Sequence, residues 1–186
     1  MGHFLNFGPG PNMLGEPWQN LEPNHDIRKR LRFDDNSATA ILCEHVIEHV
    51  SFLQGLVFMR EALRVLEPGG VLRLAFPDVS RFVEQEANGD YVLHWHALRY
   101  ADGLGAGVGL DEDGRKRAGV VRLLTDWGHQ SAWTRETAAA SLLVTGFSRV
   151  QQCGYSVGKI TGVDGHHREV GPELARLESS ILEAYK

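Results

Sequence analysis

The chain has 186 residues, of which 42% are hydrophobic and 23% are charged. This size and composition are typical of one compact domain with its own core, so we expect a single domain over residues 1–186. The formal net charge is −5, and Lys and Arg form no long run. Because a nucleic-acid interface must neutralise many phosphates, this balance argues against nucleic acid as a partner.

Membrane contact is not expected either. No apolar stretch approaches the roughly 20 residues that cross a bilayer, and the first residues do not resemble a secretion signal. Cys43 and Cys153 each lie in an apolar run, where a thiol behaves as a small buried hydrophobic group. We therefore expect a cytoplasmic protein.

Short apolar runs that end at Gly, Pro or acidic residues predict the strands. They lie at residues 3–7, 18–21, 38–44, 71–76 and 147–155, with a last run at 178–185. We expect that last run to be an antiparallel strand, although its pattern is almost as compatible with a helix.

Two helices have clear boundaries. Ser51 and Gln54 form a capping-box pattern, and apolar residues then recur at helical spacing until the sequence Glu-Pro-Gly-Gly at 67–70. Thr134 can cap a second helix that Gly146 ends. The first helix joins two apolar strands, which predicts a βαβ unit with parallel strands.

Residues 80–132 lack a clear period, and five glycines lie between Gly103 and Gly114. We interpret this segment as two helical pieces joined by a flexible loop, forming an insertion or lid over the domain.

The order of these elements resembles that of the class I S-adenosylmethionine (SAM) dependent methyltransferases. So do three sequence segments: "LNFGPGPN", "LRFDDNSATAILCEHVIEHV" and "EALRVLEPGGVLRLAFPD". The likeness is greatest to the small type 11 methyltransferases, and it covers residues 5–79 and, more weakly, 134–150. It implies an α/β, Rossmann-like, doubly wound and mostly parallel sheet with an antiparallel last strand. It also implies SAM as the cofactor.

The resemblance assigns the cofactor site residue by residue. The glycine loop would hold the amino acid end of SAM, the acid Glu22 would bind the ribose, and Asp26 with Ile27 would edge the adenine. The implied cofactor-binding residues are Asn6, Gly8, Gly10, Glu22, Asp26, Ile27, Glu44 and His45. The residues themselves argue against a dinucleotide, because Pro9 and Pro11 have no N–H to offer a pyrophosphate.

One departure from the family pattern concerns the first helix. Pro11, Gly15 and Pro17 leave too little room for it between the glycine loop and the second strand, so we expect it to be shortened or missing. The pocket would then lack a wall, which a second copy of the chain could supply as a homo-oligomer.

For catalysis, related methyltransferases carry a histidine just before the cap of the helix that starts near residue 134. His129 is therefore the first choice of general base and His45 the second. The expected acceptor is a hydroxyl or amine of a small molecule or a sugar.

Two alternatives stay open. A chain that lacks pocket walls could be a non-catalytic binding or assembly protein that keeps the fold. His45-Val46-Ile47-Glu48-His49 also matches the H-x-x-E-H motif of inverted zinc peptidases, which predicts a zinc hydrolase that uses His45, Glu48 and His49. The methyltransferase interpretation expects no metal site.

Overall fold

The fold is built around one mixed sheet. The computed structural model describes residues 2–21, 25–89, 124–165 and 171–186, and within them six strands pair in the order β2-β1-β3-β4-β6-β5. The strands are β1 (His3–Phe7), β2 (Trp18–Leu21), β3 (Ala38–Glu44), β4 (Leu66–Pro77), β5 (Arg149–Cys153) and β6 (Ser179–Tyr185). β1 to β4 are parallel, whereas β6 is antiparallel to both of its neighbours. The predicted mostly parallel sheet with an antiparallel last strand is confirmed.

The first three strands have the predicted bounds, and β5 is shorter than the predicted run at 147–155. β4 differs most, because it begins at Leu66 and runs through the Glu-Pro-Gly-Gly sequence. Its register with β3 shifts between the pairs Ala38 with Leu66 and Ala40 with Val71, and Gly69 has a φ of 78°. The two glycines therefore form an irregularity within the strand, where the sequence predicted a break before it.

The helices are α1 (Phe52–Val65), α2 (Val79–Ala87), α3 (Arg135–Thr145) and α4 (Pro172–Glu178). The Ser51 capping box forms in full, with both the side-chain and the backbone hydrogen bonds to Gln54. The Thr134 hydroxyl accepts from the N–H of Thr137, and Gly146 ends α3 with a φ of 115°. Both predicted helices are thus confirmed, while α4 was missed.

Helices α1 and α3 cover one face of the sheet and bury the main core, which includes Leu5, Phe7, Ile41, Phe58 and Leu142. On the other face, among the described residues, Ile160 and Val163 and the nearby Leu14 come from loops and pack on Leu42 and its neighbours, with Trp18 of β2 beside them.

Residues 8–17, between β1 and β2, contain turns and no helix. The predicted loss of the first helix is confirmed, and two loops take over the surface that it would cover.

The structure describes residues 80–89 and 124–132 of the predicted 80–132 insertion; the rest of that prediction lies outside the described residues. In the described part of the chain, no helix is both long and apolar enough to cross a membrane.

Candidate functional site

The site lies where the strand order reverses. β1 pairs with β2 on one side and with β3 on the other. The connection after β1 therefore leads to one side of it, and the connection after β2 leads back to the opposite side. In open α/β sheets, ligands bind outside the carboxyl ends of the strands at such a switch point. Gly8 follows β1 and His45 follows β3, so both lie at this position.

The glycine loop needs its glycines for two different reasons. Gly8 has a φ of 60°, and a Cβ atom there would lie 2.5 Å from Cγ2 of Val46. Gly10 has a φ of 47°, but the space around it is open within 4 Å. Gly8 therefore allows the loop to pack on the turn after β3, while Gly10 leaves room for a ligand to approach the backbone.

Asn12, which was not predicted as a site residue, joins two of the predicted cofactor residues, Asn6 and Glu44. The Asn6 amide donates to the Asn12 carbonyl at 3.0 Å. The Asn12 amide in turn donates to Oε2 of Glu44 at 3.1 Å and to the carbonyl of Val163 at 2.7 Å. The N–H of Gly165 donates to the same carboxylate oxygen at 2.8 Å. Asn6 and Glu44 are thus brought together at the switch point, and part of their hydrogen-bonding capacity is used within the chain.

The segment at 154–165 is held to the sheet by a buried charge network. Arg73, in the middle of β4, binds both carboxylate oxygens of Asp164 at 2.7 Å and one of Glu183 at 3.1 Å. The side chains of all three residues are 0% exposed. This network was not predicted, although an arginine within the apolar run at 71–76 indicates a buried cation that needs acidic partners.

Of the residues predicted for the ribose and adenine of the cofactor, the structure describes Asp26 and Ile27, and both make other contacts. Glu22 lies outside the described residues. Asp26 makes two hydrogen bonds with the Arg28 guanidinium, which lower the pKa of Asp26 to about 2. The Ile27 side chain is buried in the main core.

His45 lies in a left-handed conformation, with a φ of 52°, directly after β3. Its Nε2 is 3.0 Å from the Ser179 hydroxyl, and its Nδ1 is 3.3 Å from Oε1 of Glu48. Burial disfavours the imidazolium, but the Glu48 carboxylate outweighs this effect, so the pKa of His45 lies above its ordinary value of 6.5.

His129 lies beside His49. The N–H groups of Gln130 and Ser131 donate to the Glu48 carbonyl at 2.8 and 3.1 Å, which ties the segment before α3 to the turn after β3. The rings of His49 and His129 consequently meet edge to face, with centroids 4.9 Å apart.

The H-x-x-E-H sequence does not form a regular α-helix. Residues Ile47–His49 form a single 3₁₀ turn, and the ligand atoms that come within 4.8 Å of one another belong to Glu48, His49 and His129. Among the described residues, the structure therefore does not assemble the zinc-peptidase arrangement of His45 with His49, because that arrangement needs a long helix to place both imidazoles on one face.

Comparison with known proteins adds a family match. Residues 9–74, about a third of the chain, match the model of a methyltransferase domain family. The matched region runs from Pro9 in the glycine loop through most of β4, so it contains β3 and His45 and begins just after β1 and Gly8. No curated protein matches the sequence.

Several solved structures are similar to this chain, and the first two below share its fold. A SAM-dependent methyltransferase from Archaeoglobus fulgidus is 12% identical, with a TM-score of 0.53 over 100% of this chain and 86% of that chain. A chain from the complex of the Haloferax volcanii Trm112 methyltransferase activator with its candidate methyltransferase is 12% identical, with a TM-score of 0.54 over 99% and 82%. A protein described as an O-methyltransferase from Nostoc punctiforme is 12% identical, with a TM-score of 0.46. The alignment covers 91% of this chain, which spans only 37% of that protein.

The fold and the family match together support a class I SAM-dependent methyltransferase. They also support SAM as the cofactor.

Proposed function

We propose that this protein transfers the methyl group of SAM to a hydroxyl or amine of a small molecule or a sugar. The proposal depends on one observation: the glycine loop, Glu44 and His45 meet at the switch point of the sheet, within or beside the region that matches a methyltransferase domain.

The residues at this point suit SAM better than a nucleotide. Open space beside Gly10 admits a ligand to the loop backbone, and the buried Glu44 carboxylate lies near it through Asn12. A negative group here favours the positively charged amino end of SAM over a phosphate. Glu22 would bind the ribose, and Asp26 with Ile27 would edge the adenine, as the family resemblance implies.

Bound SAM supplies an electrophilic methyl group on a sulfonium. The chain's own task is then to hold the acceptor in line with that methyl, to exclude water, and to take a proton from the acceptor. His129 and His45 are the two residues proposed for the proton. His45 has the more defined environment, between the Ser179 hydroxyl and the Glu48 carboxylate.

Methyl transfer from radiolabelled SAM to separate pools tests the proposal. We expect label in a pool of small hydroxyl and amine compounds, because the net charge of −5 disfavours RNA. Label only in RNA or in protein would contradict the proposed acceptor class.

A second candidate is a non-catalytic binding or assembly protein. It is favoured by the segment at 163–165, which uses hydrogen bonds of Asn12 and Glu44 at the place proposed for the cofactor. Under this alternative, SAM binding without transfer to any pool is the expected result.

The missing first helix at residues 8–17 also suggests an oligomer in which a second copy completes the pocket. One similar chain comes from a complex with an activator protein, so a partner chain of another kind is a further option. Light scattering with and without SAM would test this, because a completed pocket couples cofactor binding to association.

A further inference from the structure

A polar cluster beside the proposed cofactor site has the composition of a metal centre. Glu48, His49 and His129 each offer one ligand atom, and these atoms all lie within 4.8 Å of one another. Ligands about 2.0–2.2 Å from one Zn²⁺ lie about 3–4 Å apart, so small side-chain rotations bring these three atoms onto a common ion.

The environment of Glu48 points independently to a cation. Its side chain is 3% exposed, and neither carboxylate oxygen has a hydrogen-bond partner among the described residues. His45 lies 3.3 Å from Oε1, which is an ion-pair distance without the alignment of a hydrogen bond. A buried carboxylate that lacks donors is costly unless a positive group compensates it.

The three ligands are held by the backbone and not only by their own side chains. Glu48 and His49 belong to one 3₁₀ turn, and the buried Ile47 anchors that turn in the core. The carbonyl of Glu48 accepts from Gln130 and Ser131, which fixes the chain next to His129. Such support is what keeps a metal site formed before the ion arrives.

We propose that Glu48, His49 and His129 bind a divalent transition metal ion. Two imidazoles and one carboxylate suit Zn²⁺ or a similar ion, whereas Mg²⁺ prefers an all-oxygen site. Three protein ligands leave one position open for water or for an oxygen of a bound molecule. The site differs from the H-x-x-E-H motif because His129 replaces His45. An ion bound by His129 would leave His45 as the residue proposed to take the proton.

Calorimetric titration of ZnCl₂ into the full chain, freed of metal with a chelator and without SAM, tests the site. We expect one Zn²⁺ per chain. Loss of a residue that only supports a metal ligand typically weakens binding by about 10–100-fold. His129→Ala and Glu48→Gln remove ligands themselves, so each should weaken Zn²⁺ binding by at least as much. His3→Ala is the matched control, because His3 is exposed at the start of β1, away from the cluster.

Absence of Zn²⁺ binding by the wild-type protein would overturn the proposal, as would equal binding by the wild type and His129→Ala or an equal loss in His3→Ala. If a variant fails to fold, Co²⁺ added to the wild type gives a second readout. A visible absorption band of nitrogen-ligated Co²⁺ supports the site, and its absence contradicts it. Because these titrations contain no SAM, failure of the metal site and failure of the proposed methyl transfer are seen separately.

Discussion

The guanidinium of Arg73 and the carboxylate of Asp164 are joined by two hydrogen bonds of 2.7 Å, with neither side chain exposed to solvent. Arg73 belongs to β4, whereas Asp164 belongs to the loop that covers the sheet in place of helices. This pair therefore holds the loop at 154–165 against the sheet.

Loss of one partner should be costly. Asp164→Ala removes one of the two carboxylates that the buried Arg73 binds and leaves Glu183, and we expect the free energy of unfolding to fall by about 3–5 kcal/mol. Urea denaturation measures this change. Asp35→Ala is the control, because its carboxylate is 64% exposed in its ion pair with Arg64, and we expect a much smaller loss than in Asp164→Ala. Equal losses in the two variants would contradict the structural role of Asp164.

The two glycines of the loop should respond differently to substitution. Both Gly8→Ala and Gly10→Ala place a side chain at positive φ, which costs about 1–2 kcal/mol. Gly8→Ala adds a contact with Val46 at 2.5 Å, so it should lose clearly more stability. Adding Val46→Ala to Gly8→Ala should recover part of that extra loss, which a double-mutant cycle measures. No coupling between these two positions would show that the contact is unimportant.

Glu183 should make stability depend on acid. Burial opposes its charge, but hydrogen bonds from the backbone of Ile160 and Lys159 and from Tyr185 outweigh burial, so the pKa of Glu183 lies below its ordinary 4.5. A lowered pKa in the folded state contributes stability that is present above about pH 4.5 and is lost as the pH falls through the folded value.

The measurement compares the free energy of unfolding of the wild type and Glu183→Gln at several values below neutral pH. The difference between the two proteins should be largest near neutrality and should narrow below about pH 4.5. A difference that stays constant into strong acid would exclude this contribution of Glu183.

The two cysteines should differ in reactivity. Cys43 is 0% exposed, and burial, with the charges of Glu48 and Glu44, raises its pKa well above the ordinary value of 9.0. Cys153 is half-buried. In folded Cys153→Ser we expect no reaction with a thiol reagent near neutral pH until urea unfolds the chain. Rapid labelling of that variant in its folded state would mean that β3 is accessible.

Most of the sheet follows from local sequence. The strands at 3–7, 18–21 and 38–44 have apolar runs with clear ends, and the caps at Ser51 and Thr134 satisfy backbone N–H groups within a few residues. These features depend on neighbours in the chain, so a sequence can reveal them.

The site depends on contacts between distant positions. Asn12 joins Glu44 to Val163, and His45 meets Ser179, although no local pattern links these residues. The Pro-Gly-Gly of β4 was predicted to break the chain before the strand. The pairing of Leu66 and Val71 with β3 on either side, and the backbone hydrogen bonds that Gly69 and Gly70 make with Lys186, keep it within β4. Such outcomes are set by tertiary packing, which spacing along the chain does not encode.

Calorimetric titration of SAM into the wild-type protein tests the central claim most directly. We expect binding at one site per chain, weakened by about 1–3 kcal/mol in Glu22→Ala because a ribose acceptor is lost. Asp34 is an exposed acid that precedes β3, at the end of the strand opposite to the proposed site. Asp34→Ala should therefore leave the affinity for SAM unchanged. Absence of SAM binding by the wild-type protein would contradict the account.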